Sequence, residues 1–144
     1  MKIDHITINV SDIERSTGFY CDGLGFEHVD DQIVGDEGAG PALSSRPYRV
    51  HSRHLMVKDG IRVVLNHIEI PTEPLPEYRK QYGITNLSVY SQGIDAQVEK
   101  LSALGGTPVA DSRAQFNYGS TTADVMVCLD PDGQPVELIA ILRE

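Results

Sequence analysis

Two stretches of the chain read alike. KIDHITINV, residues 2–10, and GITNLSVY, residues 83–90, each alternate apolar and polar positions and each lead into a helix start. Ile6, Ile8 and Ile13 match Leu87, Val89 and Ile94 at a constant offset, so the correspondence runs through strand and helix together. A repeat of about 70 residues is too long for a solenoid unit and points to duplication within one domain. A chain built twice from one plan is constrained to two copies of one supersecondary unit. The copies differ at one chemically capable position: His5 in the first stands where Asn86 stands in the second.

The plan is β-α-β-β-β. In the first copy Ile6, Ile8 and Val10 alternate with His5, Thr7 and Asn9, a strand with one apolar and one polar face. Ser11-Asp12-Ile13-Glu14 has the form of a capping box, and Ile13, Thr17, Tyr20 and Leu24 recur at helical spacing until Gly23 and Gly25. FEHVDD reads as a short strand and residues 35–47 as loop. YRVHSRHLMV and IRVVLNHIEI read as a hairpin across Lys58-Asp59-Gly60. After a proline-rich link, 71–81, the plan restarts. GITNLSVY leads to a helix over 94–104 closed by Gly105-Gly106, and TPVAD is the short strand. DSRAQFNYGSTT reads as loop, and ADVMVCLD and QPVELIAI pair across Pro131-Asp132-Gly133. The expected organisation is one domain over 1–144, with modules 1–70 and 82–144 joined by 71–81.

A chain of 144 residues can bury a core without metal or disulfide staples. Its formal net charge of −9 argues against a nucleic-acid or anionic-membrane partner, which would need a basic footprint. Cys21 and Cys128 lie far apart and in no CxxC pattern, so they read as reduced thiols. The N-terminus lacks the apolar core of a signal peptide, and no window approaches a membrane span. The expectation is a cytoplasmic protein.

The last strand of the second copy, VELIAI, is apolar enough to be buried on both faces, yet it holds Glu137. A carboxylate there is costly unless something cationic pairs with it. A metal ion is the usual partner, and His5 could offer imidazole to the same ion. The polar faces of both first strands then propose mixed sheets curled around a polar cavity, helices outside: an α+β fold.

At this point the residues match a family. KIDHITINVSDIERSTGFYCDGLGFEHV resembles the opening of the vicinal oxygen chelate superfamily, and DPDGQPVELIAI resembles its closing strand. That superfamily includes glyoxalase I, extradiol dioxygenases, methylmalonyl-CoA epimerase, and fosfomycin and bleomycin resistance proteins. The resemblance implies paired β-α-β-β-β modules around a ligand cavity, often assembled as a homodimer. Metal-using members take ligands from the first and last strands of each module. By position, His5 matches the first-strand ligand of module one and Glu137 the last-strand ligand of module two. The first-strand ligand of module two falls on Asn86. The last-strand ligand of module one falls within VVLNHIE, where parity from the turn gives Val64, Asn66 and Ile68 and turns His67 away; a bulge would swap Asn66 for His67.

With Asn86 and Asn66 in the set, the donors suit Mg, Mn or Ca better than Zn, and the facial triad of Fe oxygenases is broken. Mn, Mg, Ni, Fe and Zn all stand as candidate ions, as does none. Three readings are open. A divalent metal on His5 and Glu137, helped by Asn66 and Asn86, would stabilise an enolate in isomerase, epimerase or lyase chemistry. Alternatively, His5 and Glu137 act without metal as an acid–base pair. In the third reading the chain sequesters a small-molecule ligand, as bleomycin-resistance members do. Arg53 is a candidate anchor for a substrate carboxylate or phosphate. Tyr118 and Asn117, in the second-copy loop, and Tyr48 stand where a lid would be.

Overall fold

The computed structural model describes residues 1–34, 49–57, 60–69, 79 and 82–143. The 35–47 loop, Tyr48, Lys58 and Asp59 of the first hairpin turn, and all of the 71–81 link except Arg79 lie outside the described residues. The chain divides into two compact units, Met1–Glu73 and Pro74–Glu144. The class is α+β, with one four-stranded and one five-stranded sheet.

The first unit runs β1 (His5–Asn9), α1 (Ile13–Thr17), β2 (Glu27–Val34), β3 (Val50–Met56) and β4 (Arg62–Ile68). Its sheet order is β1-β4-β3-β2, with β1 and β4 parallel and the other pairs antiparallel. The helix starts one residue later than the capping box proposes. Asp12, not Ser11, is the N-cap, its Oδ1 accepting the Arg15 N–H at 2.9 Å, while the Ser11 hydroxyl accepts from the Arg15 guanidinium at 2.9 Å. After Thr17 the helix widens into a π turn over Gly18–Gly23. Phe19 and Tyr20 are both fully buried, packed edge to face at 5.2 Å. Phe26 meets Tyr20 at 6.1 Å after Gly25 turns the chain at φ 81°. The FY…LGF stretch is thus the aromatic core of this unit, joined by Ile8, Leu55, Val63 and Leu65.

The second unit runs β5 (Leu87–Tyr90), α2 (Ile94–Ala103), β6 (Thr107–Pro108), β7 (Ala114–Tyr118), β8 (Thr121–Leu129) and β9 (Pro135–Arg143). Its order is β5-β9-β8-β6, with β7 also on β8, and β5 lies parallel to β9 as β1 does to β4. The helix closes as the glycine pair predicts: Gly106 N–H reaches Leu101 O at 2.8 Å and Gly105 N–H reaches Ser102 O at 3.3 Å, a Schellman end. The Pro-Asp-Gly hairpin is built by buried Asp130, whose Oδ1 accepts the N–H groups of Asp132 and Gln134, both at 2.9 Å. Ile94, Leu101, Met126, Cys128, Val136 and Leu138 form the core.

One expectation is corrected. Residues 114–118, read as loop, form β7, a hairpin partner of β8 across Gly119-Ser120. The segment alternates Phe116 and Tyr118 with Gln115 and Asn117, and β8 offers it a free edge. Tyr118 and Asn117 therefore lie on a strand rather than in a lid.

Candidate functional site

Strand registry decides which side chains share a face. In the first unit His5, Thr7 and Asn9 lie beside Arg62, Val64 and Asn66 of β4. Across β4, Asn66 pairs with Ser52 and Val64 with His54. His5, Asn66, Ser52 and His54 therefore share one face, and His67 is on the other, its Nδ1 3.2 Å from Val10 O. Asn66 is buried, and its Oδ1 accepts the Ser52 hydroxyl at 2.7 Å. His54 carries a buried Nδ1 without a hydrogen-bond partner. Its parity with Ser52 is the sequence signal that would have placed it on this face.

His5 is held from behind. Its Nδ1 lies 2.7 Å from Asp4 Oδ2, which also pairs with Arg62. A carboxylate only accepts, so Nδ1 carries the proton and Nε2 keeps the lone pair in the neutral ring. These two contacts hold the Asp4 carboxyl below its ordinary range, the His5 hydrogen bond contributing most.

Arg53 lies on the opposite face, with Leu55. It is buried, and its donors are engaged: Nε and Nη2 grip Asp31 at 2.9 and 2.8 Å, and Nη1 reaches Glu14 at 2.9 Å and Thr17 at 3.1 Å. His51 and His28 also reach Asp31, at 2.8 and 2.6 Å. The Arg53 hydrogen bonds above all hold the Asp31 carboxyl far below its ordinary range. This guanidinium ties α1 to the sheet. It is not free on the face of His5 to take a substrate anion.

In the second unit Ser88 lies opposite Glu137, and Tyr90 opposite Ile139. Glu137 pairs with Val127 on β8, so its face carries Val125, Val127, Ile139 and Ile141. Ser88 donates to Glu137 Oε2 at 2.6 Å, Asn86 Nδ2 donates to Ser88 at 2.9 Å, and Thr85 donates to Asn86 Oδ1 at 2.9 Å. Tyr118 shares Glu137's face but pairs with Thr121, six residues along β8 from Val127. That is roughly 20 Å at the usual strand rise. Burial pushes the Cys128 thiol up to about 11, which removes it as a nucleophile at neutral pH.

The registry also orders the candidate donors within each unit. In the second unit Ser88, two residues after Asn86, faces Glu137. In the first, Thr7, two residues after His5, faces Val64. By this registry Val64 stands where Glu137 stands in the other unit, and Asn66, the expected candidate, lies two residues further along the same face. The first unit has His5 and His54 on one face, the second has Glu137, and the oxygen of Asn86 accepts from Thr85. Taken within each unit, these positions bring together fewer donors than a resident divalent ion usually takes. Among the described residues no group of three or more His, Cys, Asp or Glu side chains is arranged to hold one.

Residues 2–138 match the model of the Glyoxalase/Bleomycin resistance protein/Dioxygenase superfamily. The chain belongs to this superfamily. Comparison with curated proteins gave no match. Among solved structures, a glyoxalase family protein from Bacillus cereus superposes with TM-score 0.81 at 18% identity, over 99% of this chain and 95% of that one. The trypanothione-dependent glyoxalase I of Leishmania major gives 0.65 at 17%, over 97% and 86%. A glyoxalase family protein from Enterococcus faecalis gives 0.60 at 20%, over 96% of both chains. At such identities the likeness is one of fold. It gives this superfamily member its architecture, and its chemistry rests on its own side chains. Among the described residues no helix is long and apolar enough to cross a membrane.

Proposed function

We propose that this chain is a small-molecule enzyme of the glyoxalase-like type, in which Glu137 moves a proton on carbon next to a carbonyl. One observation carries the reading. Glu137 is a half-buried carboxylate on a mostly apolar sheet face, with Oε2 held by Ser88 and Oε1 left without a donor among the described residues. A carboxylate so placed is oriented and has one oxygen to offer. The step is a proton transfer: the C–H bond breaks, the proton goes to Oε1, and the electron pair moves to the carbonyl oxygen as an enolate. Return of the proton to the other face or the neighbouring carbon gives an epimer or isomer; loss of a β-substituent gives a lyase product. In the first unit His5 has an imidazole whose Nε2 is left available by the Asp4 contact at Nδ1. No step of this reading is routed through a metal.

The net charge of −9 and the exposed Tyr90 and Phe116 on Glu137's face favour a second reading, sequestration of a cationic aromatic compound. One assay separates the two. Wild type and Glu137→Gln are incubated in D2O with a panel of enolisable hydroxycarbonyl compounds and followed by proton NMR. The enzyme reading expects deuterium at the α-carbon with wild type and at least about 100-fold less with the variant. Bound compounds that never exchange would establish the binder instead.

A further inference from the structure

We propose that Asn86 is a positioning residue for Glu137, and that this unit is thereby fitted to use its carboxylate without a resident metal. The inference rests on the reading of Glu137 given above. It begins with a proton count. Ionised Glu137 only accepts, so the proton between it and Ser88, 2.6 Å apart, belongs to the serine. The serine oxygen then has only lone pairs left. The amide atom of Asn86 that approaches it at 2.9 Å must be the N–H donor, Nδ2. The amide's orientation is fixed by this, and Oδ1 turns to the Thr85 hydroxyl at 2.9 Å.

Thr85, Asn86, Ser88 and Glu137 therefore form a chain in which every donor points toward the carboxylate. Hydrogen bonds aligned this way polarise one another and strengthen the last one. The only atom of Asn86 able to bind a cation is its carbonyl oxygen, and that atom accepts from Thr85. What Asn86 presents toward Ser88 and Glu137 is N–H, the end that repels a cation. The position from which metal-using relatives supply a ligand here orients the carboxylate through Ser88. Oε2 is held and Oε1 is the oxygen left for a ligand.

Two measurements test this, and neither uses turnover. The first is carbon-13 NMR of side-chain carboxyl-labelled protein, with the Glu137 resonance assigned by its loss in Glu137→Gln. It is expected to move in Ser88→Ala, to hold in Ser88→Thr, and to move in Asn86→Ala although Asn86 hydrogen-bonds to Ser88 and not to Glu137. A Glu137 resonance unmoved in folded Asn86→Ala overturns the positioning role. The second is calorimetric titration of EDTA-stripped wild type and Glu137→Gln with Zn2+ and with Mn2+. The expected wild-type result is no ion bound more tightly than about 1 mM through Glu137. One ion per chain bound with a Kd below about 10 μM, and lost in Glu137→Gln, overturns the metal-free half. If both results stand and the D2O exchange assay fails, the catalytic reading falls while the positioning of Glu137 survives.

Discussion

Ser16 is fully buried in α1, and its hydroxyl has no hydrogen-bond partner. A mid-helix serine often bonds back to the carbonyl one turn earlier, as Thr17 does to Ile13 at 2.6 Å; Ser16 does not. Its burial therefore carries an uncompensated desolvation cost of about 1–3 kcal/mol. Ser16→Ala removes the hydroxyl and leaves a gap of one atom. The expected result is a gain of roughly 1 kcal/mol in urea unfolding and a rise of about 2–4 °C in Tm. A loss of stability would mean that the hydroxyl has a partner in solution. At this scale the sequence was legible where alternation governs it. Parity from the hairpin turn places Asn66 on the face of His5 and His67 on the other, and the registry agrees. Partner choice was not legible. Nothing in the string says that Asn86 reaches Ser88, or that Arg53 is spent on Asp31 and Glu14, because those pairings depend on which strands become neighbours.

Both helices are tied to their sheets by an arginine between two acids. In the first unit Arg53 of β3 joins Glu14 of α1 to Asp31 of β2. In the second Arg113, just before β7, joins Asp95 of α2 to Asp124 of β8. Glu14 and Asp95 stand at the same offset as His5 and Asn86, so the helix end of the tie repeats while the arginine comes from β3 in one copy and from the segment before β7 in the other. The first tie is the more buried and makes a pH prediction. Asp31 is held below its ordinary pKa chiefly by Arg53, with the two histidines adding to it. A depressed carboxyl contributes stability above the unfolded value, near 3.9, and that contribution is withdrawn as pH falls below it. Asp31→Asn should cost roughly 2–3 kcal/mol at pH 7, and the gap to wild type should narrow steadily below about pH 4. Unfolding curves of both proteins between pH 7 and pH 3 check this; a constant gap would exclude ionisation as its source. The elements themselves were mostly readable from periodicity and turn chemistry. β7 was not, because a five-residue strand among Gly, Ser and Asn looks like loop until β8 supplies its partner. The π turn was missed for a related reason: the pattern of Ile13, Thr17, Tyr20 and Leu24 hides that Phe19 is buried as well.

The repeat is the feature that carried furthest from sequence to fold. One offset fixed the order of strands and helix in both copies, and both sheets place the first strand parallel to the last. The same comparison, made through registry rather than along the string, shows how the copies diverged. Thr7 stands beside Val64 in one copy and Ser88 beside Glu137 in the other, with His5 and Asn86 each two residues earlier on the first strand, so only the second copy keeps a carboxylate at that place. That divergence has a consequence for the stability of the whole chain. An ion bound only by the folded protein at 1,000 times its Kd would stabilise it by about 4 kcal/mol. At about 2–4 °C per kcal/mol for a chain of this size, its removal would lower Tm by roughly 8–16 °C. On the proposal that Glu137 works without a resident ion, EDTA should leave the Tm within about 1 °C of the untreated protein, and adding Mn2+ or Zn2+ afterwards should not raise it. Scanning calorimetry at several EDTA concentrations measures this directly. A fall approaching 10 °C, restored by one equivalent of a divalent ion, would mean that groups other than the paired strand positions complete a metal centre.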